Sequence, residues 1–133
     1  MKRTLLPLLC LAFLFTACRE DDNPYKAFEQ ERLAQLAAEK YEAIVELAQP
    51  TDCTDPSEWR ITEIQSVCGT THMAYHESTD ERKLRELIHD YDLLIEIYRP
   101  YVAPYIFCAP FRDPKGISCE HGKAVVQYQE PLN

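Results

Sequence analysis

The sequence predicts an α+β domain: two amphipathic helices packed on a small antiparallel sheet, with a C-terminal hairpin and two disulfides as staples. Three observations carry this. Two long segments repeat apolar residues at three- and four-residue steps, shorter segments alternate apolar and polar residues, and four cysteines remain behind an export signal. The chain has 133 residues, one domain's worth, and no internal repeat is visible in it.

The first helix is expected to start at Asn23 as its cap, with Pro24 in the first helical position. Leu33, Leu36, Ala37, Tyr41, Ile44, Leu47 and Ala48 form its apolar face, Glu31, Arg32, Glu39, Glu42 and Glu46 its polar one, and Pro50 its stop. The second helix is expected to begin with Ser78 and Glu81 in capping-box spacing. Leu84, Leu87, Ile88, Tyr91, Leu94, Ile95 and Tyr98 share one stripe, read as core, and Pro100 is the expected end.

Between the helices, Trp59 and Ile61 alternate with polar residues, which predicts a strand over Trp59–Ile64, a turn near Gly69 and a second short strand over Met73–Tyr75. Near the C-terminus, His121-Gly122 reads as a two-residue hairpin turn. Its register sets Ile117 opposite Val126 and Cys119 opposite Ala124, with Tyr128 extending the pair. Pro104, Pro110 and Pro114 make the approach to this hairpin a loop or an edge.

The N-terminus has the parts of a secretory signal: Lys2 and Arg3, an apolar run from Leu5 to Phe15, then Thr16 and Ala17 before Cys18. The run is about half the roughly 20 residues that a membrane-crossing helix needs. Leu14-Phe15-Thr16-Ala17-Cys18 resembles the bacterial lipobox, which implies acylation of Cys18 after removal of residues 1–17. The following Arg19-Glu20-Asp21-Asp22 looks like the surface-export signal of Bacteroidetes lipoproteins, implying an outer-membrane location. Its plain alternative is a solvated acidic tether over residues 18–24 leading into a domain from residue 25 onward.

Cleavage before Cys18 leaves 116 residues, with 22 acids against 12 lysines and arginines and a formal charge near −10. Such a surface repels nucleic acid, and no basic cluster offsets it. The remaining cysteines, Cys53, Cys68, Cys108 and Cys119, read as two disulfides in an exported domain. Three connectivities are open, with the nearest-neighbour pairing Cys53–Cys68 and Cys108–Cys119 as the default expectation.

Cys53, Trp59-Arg60-Ile61, Ile64, Cys68-Gly69, Tyr75, the second helix, Cys108, Pro114-Lys115-Gly116-Ile117 and Cys119-Glu120-His121-Gly122-Lys123 occur in an order that resembles a family of small exported proteins. Many members are Bacteroidetes lipoproteins. The resemblance spans about residues 53–128 and implies a fold but no activity. The chain departs from the pattern at Gln65 in place of a glycine, Thr70-Thr71 in place of Gly-Pro, and Phe107 in place of an aspartate.

Motifs for chemistry are sparse. His72 and His76 are four apart but lack the glutamate of a zinc-protease helix, so no metal site and no cofactor is assigned. Glycine-framed serine, Cys-x-x-Cys and phosphate-cradling patterns do not occur. His121 beside Cys119 reads as a turn residue next to a bridged cysteine.

The expected binding residues are Tyr98, Tyr101, Tyr105, Phe107, Phe111 and Arg112, which crowd the end of the second helix and the loop after it. They predict a non-enzymatic binding or inhibitor module held at the envelope by its lipid, with a protein or glycan as ligand. Two other classes stay open. A small hydrolase would show two facing carboxylates in a cleft, and a structural subunit would leave the apolar face of the first helix uncovered.

Overall fold

A hairpin that is buried on both faces organises the domain. The computed structural model describes Asn23, Tyr25 and residues 28–130. The lipobox, the acidic run and Pro24 lie outside the described residues. The elements are α1 (Gln30–Ala48), a 3-10 turn (Pro56–Glu58), β1 (Trp59–Ser66), β2 (Gly69–His76), α2 (Glu81–Val102), a second 3-10 turn (Ala103–Tyr105), β3 (Pro114–Glu120) and β4 (Lys123–Tyr128). No described helix is long and apolar enough to cross a membrane.

β1 pairs antiparallel with β2 and β3 with β4, each pair forming its own two-stranded sheet. Side chains alternate across a strand, so consecutive buried residues on β2 mean that both faces of the hairpin are covered. Met73 joins Ile64 in the core shared with the helices, whereas Ala74 joins Trp59, Cys53 and Ala124 against the second hairpin. The result is three layers: helices, hairpin, hairpin. Continuous burial reads in sequence as an indistinct strand, and this is why the strands run longer than the alternation of Trp59 and Ile61 indicates.

α1 and α2 are antiparallel. Lys40 of α1 is hydrogen bonded to Asp90 of α2, and Thr79 Oγ1, just before α2, donates to Leu47 O near the end of α1 at 3.2 Å. Leu33, Ile44 and Leu94 are fully buried between these layers. The apolar face of α1 is therefore covered within the chain.

Both expected helix starts are displaced. Asn23 does not cap α1, which begins at Gln30 without a side-chain cap on Glu29. Its Oδ1 instead accepts the Tyr25 backbone N–H at 3.1 Å, and its Nδ2 donates to Leu93 O at 2.8 Å. The capping chemistry is used in a turn, where Asn is equally favoured. α2 is capped by Asp80, whose Oδ1 accepts from the N–H groups of Arg82 and Lys83, both at 3.1 Å. Ser78 instead bonds the His76 ring.

Pro100 does not end α2. It costs the helix the one bond that an N–H at this position would give to the Glu96 carbonyl, and α2 continues to Val102 before tightening into the 3-10 turn.

The disulfides join Cys53 to Cys119 and Cys68 to Cys108, which overturns the nearest-neighbour expectation. The Cys53 N–H donates to Gly122 O at 2.8 Å, bringing residue 53 against the distant hairpin turn. The loops span 66 and 40 residues. Each bond taken alone would stabilise by about 4 kcal/mol in the chain-entropy model, more than the shorter expected loops.

The β3–β4 turn follows the sequence reading. His121 and Gly122 take φ 52° and 77°, and Ile117 faces Val126 as Cys119 faces Ala124.

Candidate functional site

The chain between α2 and β3 is held at one end of the layers by two ties. The Cys68–Cys108 bond fastens it to the β1–β2 turn. Arg99 fastens the end of α2 to the same turn, its Nη2 donating to Gln65 Oε1 at 2.9 Å and Ser66 O at 3.1 Å. Residues 106–113 have no regular structure, so these ties and the following strand are what position them.

The six expected binding residues do not form one patch. Tyr98 packs against the helical core. Tyr101 is half exposed on the last turn of α2, and Tyr105 and Phe107 stand out into solvent at 87% and 97% exposure. Phe111 and Arg112 turn the other way, into a groove between the loop and the two hairpins. The apolar tip and the groove are two separate surfaces.

The groove has a volume of about 650 Å³ and is open to solvent. A row of rings forms part of its lining. Phe111 and Tyr128 lie on His72 with centroids 5.8 Å and 5.9 Å away, tilted rather than stacked. The Arg112 guanidinium sits over Tyr128 at 5.5 Å, within cation–π range. Glu63, Ser66, Thr70 and Thr71 supply polar groups along the same groove. Nδ1 of His72 is buried without a hydrogen-bond partner, so a polar group is committed to this site without being satisfied there.

His72, Tyr128, Glu63, Thr70 and Thr71 are among the groove residues that the sequence reading did not assign to a site. The register explains their assembly: Glu63 is the strand partner of His72, and both point to the layer where β4 carries Tyr128. His72 and His76 lie on a strand and not on a helix, which separates them by about 13 Å along it, too far to share one ion. His76 packs edge-on against Trp59 instead.

A smaller hollow of about 280 Å³ lies beside α2, lined by Gln65, His89, Asp92, Leu93, Glu96 and Arg99. Burial pushes the Asp92 carboxyl up, against the hydrogen bond it accepts from the Gln65 N–H at 2.9 Å. Two residues away, Asp90 is also opposed by burial, but hydrogen bonds from Lys40 and Tyr25 outweigh it and hold the carboxyl low.

Chemically the main groove is equipped to hold a ligand. Rings offer flat apolar faces, while hydroxyls, a guanidinium and a carboxylate offer hydrogen bonds. Among the described residues lining it, Glu63 is the one carboxylate, so no second acid faces it as glycoside hydrolysis requires. Cys68 is in a disulfide and has no thiolate to offer. Comparison of the chain with protein-family models, curated proteins and solved structures finds no match.

Proposed function

We propose that this chain is a lipid-anchored protein of the cell envelope that binds a ligand without transforming it, with the groove around His72 as its site. The anchor is the acyl group on Cys18, and the Arg19–Asp22 run directs the protein to the outer membrane. The observation that carries the binding reading is the row Phe111, His72, Tyr128 and Arg112 along an open groove, with an unpaired ring nitrogen and one carboxylate. An inhibitor of an exported enzyme would use the same exposed and stapled loop.

Among ligands, a glycan suits this lining better than a protein. Sugar rings present C–H faces to aromatic side chains and hydroxyls to planar polar groups, and the groove lining holds both kinds of partner. Its volume falls within the range of about 300–1,000 Å³ typical of small-ligand sites, enough for a short stretch of a polysaccharide.

Saturation-transfer NMR of the purified lipoprotein with oligosaccharides released from envelope glycans is expected to show transfer to bound sugar protons. Phe111→Ser is expected to abolish it and leave the circular dichroism spectrum unchanged, because Phe111 is largely exposed. Wild-type protein that transfers no saturation to any glycan fraction would remove the glycan reading.

A further inference from the structure

The loop tip, Tyr105-Ile106-Phe107, is a surface that groove binding does not use. Its rings are almost wholly exposed, and Ile106 between them is 40% exposed. The Cys68–Cys108 bond anchors the residue next to Phe107, so the tip is presented on a fixed base.

Its charge surroundings are unusual for this chain. After Cys18, the longest run without an acid is Ile97–Arg112, and the next longest is Ile64–His76. Cys108 lies in the first and Cys68 in the second, so one bond ties the two acid-free runs together. Arg99 and Arg112 are the only charged residues in the first run, and the second run has none apart from its histidines. Glu96 and Asp113 bound the first run, and Glu63 and Asp92 lie near the same end, but Asp52, Asp55, Glu58, Glu77, Asp80, Glu81 and Glu120 belong to the opposite end of the strands, where Cys53 meets Gly122 and Glu77 N–H meets Glu58 O. Eight residues of strand separate the ends by about 26 Å, some three Debye lengths at roughly 8 Å each in physiological salt.

We propose that the tip is a second contact with the bilayer, seating its rings at headgroup level and orienting the anchored domain. This rests on the reading of Cys18 as the lipid anchor. Aromatic rings favour the membrane interface, and the run that carries the tip has no acid for a zwitterionic or weakly anionic surface to repel. A protein partner fits less well. Three consecutive residues fall far short of the roughly 20–30 a side of a stable protein interface, whereas a bilayer demands no matching shape.

The reach of the chain agrees. Asn23 is tied to Leu93 O, nine residues before the end of α2. That is about 14 Å along the helix. Five residues connect Cys18 to Asn23 and can span up to about 17 Å, so Cys18 can reach the level of the end of α2, from which the tip projects.

The test uses the full acylated protein purified from envelopes and reconstituted into phosphatidylcholine vesicles. Trp59, the one native tryptophan, is buried and gives a constant background. Phe107→Trp is expected to add a blue-shifted emission and to lose most of it when phosphatidylcholine brominated on its acyl chains replaces the ordinary lipid. Lys123→Trp, at the exposed start of β4 on the opposite end, is expected to keep its emission. Unquenched Phe107→Trp in protein shown by mass spectrometry to be acylated overturns the tip contact and leaves the anchor standing. Equal quenching of Lys123→Trp overturns it as well, since contact would then not be confined to the tip. A Cys18 found without lipid overturns the anchor and the proposal together.

Discussion

At one end of the strands, the Cys53–Cys119 bond is buried with Trp59, Ala74 and Ala124, and the backbone around it is hydrogen bonded across distant segments. At the other end, Cys68 and Cys108 are both exposed, and the chain they hold has no regular structure from residue 106 to 113. By loop length the two bonds should stabilise almost equally. They differ in what they organise. The first completes a core whose residues hold one another, so the bond adds to an arrangement already fixed by packing. The second replaces a core, giving position to a loop whose large side chains face water or the groove. Two similar cross-links thus serve a rigid scaffold and a displayed surface.

Removing the buried bond should have the largest effect. Cys53→Ala with Cys119→Ala loses about 4 kcal/mol of cross-link stabilisation, which lowers Tm by on the order of 20 °C in a domain of this size. Calorimetry would measure it, and a drop of only a few degrees would show that the two ends do not differ in the way described. Cys68→Ala with Cys108→Ala should cost less than the full chain-entropy figure, because the freed loop regains disorder in the native state as well. Ligand transfer in the groove should vanish with it. Graded reductant should likewise open the exposed bond first, and alkylation followed by peptide mapping would find label on Cys68 and Cys108 while Trp59 fluorescence is unchanged.

A smaller effect is expected at the turn of the rigid end. His121 adopts φ 52°, a region that asparagine enters more readily. His121→Asn should stabilise by roughly 0.5 kcal/mol or more, read from the midpoint of urea unfolding.

The subtlest test is the pH dependence of two aspartates. Hydrogen bonds from the start of α2 hold the Asp80 carboxyl low, so its contribution is present above the ordinary aspartate pKa and lost as pH falls through the lowered folded value. Burial raises Asp92, so its contribution has the opposite sign: stability declines as pH rises from the ordinary value through the raised folded one. Asp92→Asn keeps an oxygen for the Gln65 N–H while removing the buried charge. Urea titrations over the acid range should show that decline removed and a small gain at neutral pH, whereas Asp80→Asn should flatten the acid loss instead. An unchanged profile for Asp92→Asn would mean that its burial carries no weight in folding.

Much of the fold was legible because periodicity reports burial directly. The stripes Leu33, Ala37, Ile44 and Leu84, Ile88, Tyr91, Leu94, Ile95 are the buried faces of α1 and α2, and the β3–β4 register followed from His121-Gly122 and side-chain alternation. The α+β class follows from these elements. The candidate site was legible only by half. An accumulation of aromatic residues marked the loop, but nothing local distinguishes Tyr98, which packs inward, from Phe107, which does not. His72 joined the groove through a strand register that spans separate segments.

The sequence by itself determined that two amphipathic helices and a C-terminal hairpin form and that four cysteines would pair, since these depend on neighbours within a few residues. Tertiary structure alone decided which cysteines pair, that Met73 and Ala74 are buried in different layers, and that Phe111 and Arg112 meet His72 and Tyr128. Those outcomes depend on which surfaces approach one another once the layers stack. Sequence separation carries little information about that, because closing a longer loop costs only slightly more entropy than closing a short one.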